Sequence, residues 1–141
     1  MIAYFDTSAI VPLVIHETST DVCNRVWTES TRVVSVRLLY PEARAALAKA
    51  ERMSRLTRTQ LTAAVAELDT ILAEIDLIEV TADLAHSAGE LAQEHGLRGY
   101  DAVHLAAAQC IADDDVVLVT GDLDLAAAAR RLGIIASVTS P

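Results

Sequence analysis

The chain has 141 residues, 52% of them hydrophobic, and a formal net charge of −9, which is enough chain for one domain that buries about two-thirds of its unfolded surface without disulfide or zinc staples. No apolar run approaches the roughly 20 residues of a membrane span, and Asp6 interrupts the N-terminal apolar stretch with no basic segment before it, so the expectation is a soluble, unexported protein. An acidic balance of this size also argues against a polyanionic partner at long range, unless the acids are gathered round a cation or the bases are gathered elsewhere.

In chain order, Met1 to Phe5 reads as a short buried strand that stops at Asp6. Thr7 or Ser8 is then free to cap a following helical turn, Ser8 to Leu13. Thr18 to Glu29 reads as an amphipathic helix with Val22, Cys23, Val26 and Trp27 along one stripe. Val33 to Val36 is the next strand, and Leu38 to Met53 a long helix with Pro41 in its first turn. Thr57 to Asp76 is a further helix, and residues 38–76 read as a helical pair projecting beyond the α/β core, a contact surface for a second subunit. Leu77 to Val80 is a strand, Thr81 to Glu94 a helix stopping near Gly96, and Tyr100 to Ile111 an alanine-rich helix begun after Gly99. Strand Val116 to Thr120, helix Leu123 to Leu132 ended by Gly133, and strand Ile134 to Val138 complete the chain. Strands separated by helices throughout imply a parallel sheet covered on both faces. No linker or repeat divides residues 1–141, so one domain is expected. Cys23 and Cys110 lack CxxC or Cys/His spacing and are expected as buried free thiols in a reducing, cytoplasmic setting.

The chemistry lies in carboxylates at element ends. Asp6 ends the first strand, and Asp122, in Val-Thr-Gly-Asp-Leu-Asp, follows the fourth. In one parallel sheet both would face the same edge, where open α/β sheets keep their ligands. Glu42 sits on the apolar stripe of its helix, where a lone glutamate is costly to bury. Asp101 opens the alanine-rich helix, where the helix dipole favours a negative charge. Singly, each has a plain structural reading: Asp6 an N-cap, Asp101 a dipole residue, Glu42 a partner for Arg44 or another base. Together they are an acidic cluster. Two carboxylates about 4 Å apart repel by about 4 kcal/mol at an effective dielectric of 20, so the set needs a cation. Oxygen-only ligands select Mg²⁺ or Mn²⁺ over zinc, an ion suited to phosphodiester hydrolysis.

Asp6 in Tyr-Phe-Asp-Thr-Ser-Ala, Glu42 in Tyr-Pro-Glu-Ala-Arg, Asp101 in Arg-Gly-Tyr-Asp-Ala-Val-His-Leu-Ala, and Thr120 with Asp122 in Leu-Val-Thr-Gly-Asp resemble the motifs of PIN domains, specifically VapC-type toxins. The resemblance spans essentially the whole chain. It implies a single three-layer PIN domain with a central parallel sheet of order 3-2-1-4-5, and a Mg²⁺- or Mn²⁺-dependent endoribonuclease that works as a homodimer. It also implies a VapB-type antitoxin whose C-terminal segment covers the acidic groove. Carried over, Asp6, Glu42, Asp101 and Asp122 match the family's catalytic and metal-binding acids, and Ser8 and Thr120 its supporting hydroxyls. Asp124 is either a supporting acid or a cap for the last helix, the cap being preferred. His104, one turn beyond Asp101, invites a proton-transfer role, but a structural histidine satisfied within the helix packing is preferred.

Arg44, Lys49, Arg52, Arg55 and Arg58 gather in one stretch, as a solvated helix face or, beside a nuclease centre, as contacts to RNA or antitoxin. Aspartyl-phosphate enzymes also place acids at strand ends, but Ser8 stands where phosphatases of that kind carry a second Asp, and the only lysine, Lys49, is far from the late position a receiver needs. A non-catalytic PIN-like binding module is the remaining alternative; its mark would be a broken acidic set.

Overall fold

The computed structural model describes residues 1–113 and 115–139. Its order is β1 (Ile2–Phe5), α1 (Thr7–Val14), α2 (Thr20–Glu29), β2 (Arg32–Val36), α3 (Leu39–Arg52), α4 (Arg58–Leu72), β3 (Asp76–Ile78), α5 (Ala82–His95), α6 (Gly99–Ile111), β4 (Val116–Thr120), α7 (Leu123–Arg131) and β5 (Ile135–Val138). The strands form one parallel sheet in the order β3-β2-β1-β4-β5, the expected order. The chain leaves the central strand β1 toward one edge, then returns past it to build the other, so the crevice between β1 and β4 is a topological switch point.

The two-residue period of β1 sorts the layers. Ala3 and Phe5 join a core with Val33, Val119, Ile10, Leu39, Leu47 and Leu68 from α1, α3 and α4. Tyr4, pointing the other way, joins a second core with Val34, Val36, Leu118, Leu91, Leu105 and Leu125 from α5, α6 and α7. Alanine makes the second layer thin: Ala102, Ala106, Ala107 and Ala108 of α6 are all buried, so the helix backbone lies close on the strands. Local chemistry sets the boundaries. Thr57 and Gln60 form a reciprocal capping box at the start of α4, Thr81 caps α5 through the Leu84 amide, and Gly96, at φ 65°, closes it in the left-handed region. Pro41 falls in the first turn of α3, where its missing N–H costs nothing.

Three expectations need correction. Residues 38–76 are not a projecting pair: Leu47, Ala64 and Leu68 are inside the first core, because α4 has an apolar side that the sheet face must cover. The turn between the helices is the exposed part, with Met53 62% accessible. α4 also stops at Leu72 rather than Asp76, which opens β3 and pairs with Val34, while Val80 lies beyond that strand and is exposed. Of the cysteines only Cys23 is buried; Cys110, near the end of α6, is on the surface.

Because Leu68 is fully buried, Leu68→Ala should cost about 2–5 kcal/mol in urea unfolding followed by Trp27 fluorescence. Met53→Ala should stay within about 0.5 kcal/mol of the parent. A cost for Leu68→Ala as small as that for Met53→Ala would place α4 outside the core.

Candidate active site

The β1–β4 register pairs Phe5 with Val119, which carries Asp6 and Thr120 out side by side at the C-terminal edge. Asp6 stands at the N-cap of α1 with extended backbone, yet its side chain makes no capping bond. Both oxygens are held by hydroxyls instead: Ser8 Oγ donates to Oδ1 at 2.7 Å and Thr120 Oγ1 to Oδ2 at 3.0 Å. Those hydroxyls are themselves fixed, Ser8 Oγ accepting from Gly121 N at 2.8 Å and Thr120 Oγ1 from Asp122 N at 2.9 Å. Neither Thr7 nor Ser8 is the cap: Asp6 holds the N-cap position, the Ser8 hydroxyl serves its carboxylate, and the Thr7 hydroxyl turns to Glu42. Asp6 is only 4% exposed. Burial pushes its carboxyl above the usual value, while the nearby His104 and the two hydroxyls pull it down.

Glu42 arrives from the other direction, on the first turn of α3. Its Oε1 accepts from Thr7 Oγ1 at 2.8 Å and lies 2.7 Å from His104 Nε2. A carboxylate only accepts, so Nε2 carries the hydrogen, and Nδ1, 2.9 Å from Tyr4 Oη, accepts the phenol's proton in the neutral ring. Of the partners that sequence offered Glu42, Arg44 or another base, it is the other base, His104, that meets it, while Arg44 donates to Tyr40 Oη at 3.0 Å. His104 is thus buried and satisfied, as preferred, but its satisfaction comes from a strand tyrosine and a cleft acid rather than from helix packing. Tyr4, buried beneath it, has its phenol pushed well up by desolvation.

Asp101 lies in the first turn of α6 and Asp122 at the N-cap of α7. Asp122 Oδ1 accepts from the amides of Asp124 and Leu125 at 2.9 and 3.1 Å. The cap of the last helix is therefore Asp122; Asp124 is an exposed residue in its first turn and does not line the cleft. Arg98 Nε donates to Asp101 Oδ2 at 3.0 Å, and its Nη2 is 3.7 Å from Asp122 Oδ2.

These side chains meet in one cleft of about 360 Å³ lined by Asp6, Thr7, Ser8, Glu17, Glu42, Arg98, Asp101, His104 and Asp122. The four acids picked from sequence are all there, with Ser8, while Thr120 lies behind Asp6. The basic stretch is not: Arg44, Lys49, Arg52, Arg55 and Arg58 are exposed along α3, the turn after it and the start of α4. Arg58 pairs with Glu51 and Arg55 with Glu17 at 3.4 Å, the latter reaching the cleft rim through a cleft residue. As cleft residues, sequence reasoning passed over Glu17 and Arg98 and took Thr7 only for a helix cap. Thr7 adjoins Asp6 and Arg98 stands three residues before Asp101, a helical spacing that makes neighbours; Glu17 had no local signal.

Among the described residues, no three His, Cys, Asp or Glu side chains stand close enough together to ligate one ion. Each acid is engaged by a protein donor instead. The donor set still suits a hard divalent ion: carboxylate and hydroxyl oxygens predominate, and a buried aspartate destabilised in its charged form is aimed at the cleft.

Fold and site together define an α/β protein with an acidic cleft at the switch point of a parallel sheet. The PIN domain family matches residues 3–131. Ribonuclease VapC45 of Mycobacterium tuberculosis is 39% identical over 132 residues, which span 94% of this chain and 92% of that protein. Among solved structures, PAE2754 from Pyrobaculum aerophilum superposes with a TM-score of 0.68 at 27% identity, over 96% of this chain and 83% of that one. VapBC2 from Rickettsia felis, bound to a DNA fragment from its promoter, superposes with a TM-score of 0.65 over 98% of both chains; at 17% identity it speaks for the fold alone. The chain belongs to the PIN-domain family, within its VapC group.

The raised carboxyl of Asp6 has a pH signature. A group whose folded pKa lies above its unfolded value holds its proton more tightly when folded. Its burial therefore penalises folding at neutral pH, and the penalty fades as pH falls through the raised value toward the ordinary 3.8. Without divalent ions, Asp6→Asn should melt a few degrees above the parent at neutral pH, and the two should converge on acidification through the carboxylate range. A pH-independent gap between the melting curves would contradict this.

Proposed function

We propose that the chain, working over residues 1–141 as one PIN domain, is a metal-dependent endoribonuclease toxin of the VapC type in the cytoplasm. It hydrolyses RNA phosphodiester bonds, and a VapB-type antitoxin neutralises it by covering the acidic cleft. The observation that carries this reading is the convergence of Asp6, Glu42, Asp101 and Asp122 on one cleft at the carboxyl edge of the sheet. The relation to ribonuclease VapC45 supports it.

Asp6, Glu42, Asp101 and Asp122 would hold Mg²⁺ or Mn²⁺. When bound, such an ion supplies Lewis acidity toward the phosphodiester and activates the attacking water. The chain's own residues prepare the site. Ser8 and Thr120 fix both oxygens of Asp6, so the buried carboxylate keeps one orientation. Thr7 and His104 hold Oε1 of Glu42 and leave its other oxygen available, and Tyr4 fixes the tautomer of His104. Beside the acids, Leu38 and Tyr100 line an apolar depression of about 380 Å³ over α5, and both also line a depression that reaches Glu42. An antitoxin segment with apolar residues and a cation could lie over depression and cleft together. Arg55, tied to Glu17 at the rim, and Arg52 and Arg58 beyond it would meet the RNA backbone or antitoxin acids.

The engagement of every acid by a protein donor favours a second reading, a PIN-like module that binds RNA or protein without cutting. Cleavage decides. Purified protein free of antitoxin should fragment a total RNA pool with Mg²⁺ or Mn²⁺ and lose this with EDTA. Asp101→Asn should lose more than about 100-fold in rate, and His104→Gln, which loosens the hold on Glu42 along with the contacts to Tyr4 and Thr7, about 10–100-fold. Folded protein that binds RNA but cleaves none of it with either ion would establish the module instead. In the same assay, Arg52→Ala/Arg55→Ala/Arg58→Ala should weaken RNA or antitoxin binding with a reduced salt dependence; binding equal to the parent at every salt concentration would leave these residues as a solvated face.

A further inference from the structure

Arg98 lines the acidic cleft and has no task in the reading above. It stands at the N-cap of α6, its side chain 81% exposed, so the guanidinium is free to move on a long stem. In the cleft it does what an ion would do: Nε takes Asp101 Oδ2 at 3.0 Å while Nη2 lies 3.7 Å from Asp122 Oδ2. The guanidinium's own pKa is raised, by the hydrogen bond to Asp101 first and its charge next. These two acids come from different helices, α6 and α7, and Arg98 is what spans them.

Two consequences follow from charge and geometry. A divalent ion held between Asp101 and Asp122 and a guanidinium resting on the Oδ2 atoms of the same two carboxylates repel each other, so the ion's entry works against the parked arginine. A displaced arginine at the rim is then a planar, permanently charged donor beside the place where a phosphodiester must bind, and its fork matches phosphate oxygens. The described cleft-lining residues otherwise present acids, hydroxyls, His104 and two apolar side chains, Val11 and Ala46, to an anionic substrate.

We propose that Arg98 is a resident counter-cation that parks on Asp101 and Asp122 in the ion-free cleft and, when an ion enters, turns outward to bind a phosphate of the RNA backbone. The proposal rests on the nuclease reading. It makes Arg98 both a competitor of the ion and a substrate contact, two effects of opposite sign in one side chain.

The test compares parent, Arg98→Ala and Arg98→Lys by titration calorimetry with Mn²⁺ alone, and by RNA cleavage kinetics at saturating Mn²⁺. Arg98→Ala should bind Mn²⁺ several-fold more tightly, about what removing an exposed ion pair allows. It should also show KM for RNA raised about tenfold, with the loss falling on KM rather than kcat. Arg98→Lys, which keeps the charge without the fork, should recover part of the KM. Since the side chain is exposed, neither variant should unfold, and melting curves check this. Mn²⁺ affinity equal to the parent's would overturn the competition, and a KM equal to the parent's would overturn the phosphate contact; either result sinks the proposal while leaving the nuclease intact. Parent protein that neither binds Mn²⁺ nor cuts RNA would bring down the nuclease reading itself, and this proposal with it.

Discussion

The structure depends on how β1 lies against β4. A register that pairs Phe5 with Val119 sets Asp6 beside Thr120, and the hydroxyl of Thr120 then serves two masters, donating to the buried carboxylate and accepting from the amide of Asp122. A slip of one residue would turn every β4 side chain to the other face. It would take Val119 out of one core and Leu118 out of the other, and Asp6 would lose its donor. Core packing and the carboxylate's hydrogen bonds therefore select the same register, the agreement between levels that marks a well-specified fold.

From that edge the remaining acids are delivered by helices on opposite faces. α3, packed with Phe5 and Val119, brings Glu42. α6, packed with Tyr4 and Leu118, brings Asp101 and His104. The alanines of α6 matter here, since a thin layer lets His104 reach Tyr4 on one side and Glu42 on the other. The chain Tyr4–His104–Glu42 crosses from one core to the other round the end of β1. It ties together two layers that the sheet otherwise separates.

Gathered carboxylates oppose folding, and the molecule offsets this locally. Hydroxyls hold Asp6, a hydroxyl and a histidine hold Glu42, an arginine holds Asp101, and helix amides hold Asp122. Hydrogen bonds to charged groups are among the stronger ones available to a protein. Even so, burial leaves Asp6 with a raised pKa, a residual cost of the kind natural proteins accept at functional sites. Elsewhere the charges are ordinary: Arg37 and Glu79 pair at the surface, each favouring the charged form of the other, an arrangement worth little to stability.

Much of this was legible in the chain itself. Strand and helix order followed from apolar runs broken by turn residues, and Asp6, Glu42, Asp101 and Asp122 stood out because each ends or begins an element, a position that local sequence reveals. The order 3-2-1-4-5 came from the resemblance, because periodicity says which residues are buried but not which strands are neighbours. Three things were decided only in three dimensions. Whether α4 joins the core depends on a sheet face in need of cover, and that face is built from β1, β2 and β4 together. Which residue caps α7 depends on the extended backbone of Asp122, which leaves its carboxylate, not that of Asp124, facing the free amides. The partners of the acids, His104 for Glu42 across 62 residues and Thr120 for Asp6 across 114, depend on chain crossings that no local pattern encodes. Sequence determines the chemistry a residue can perform; only the closing of the sheet decides which other residue it meets.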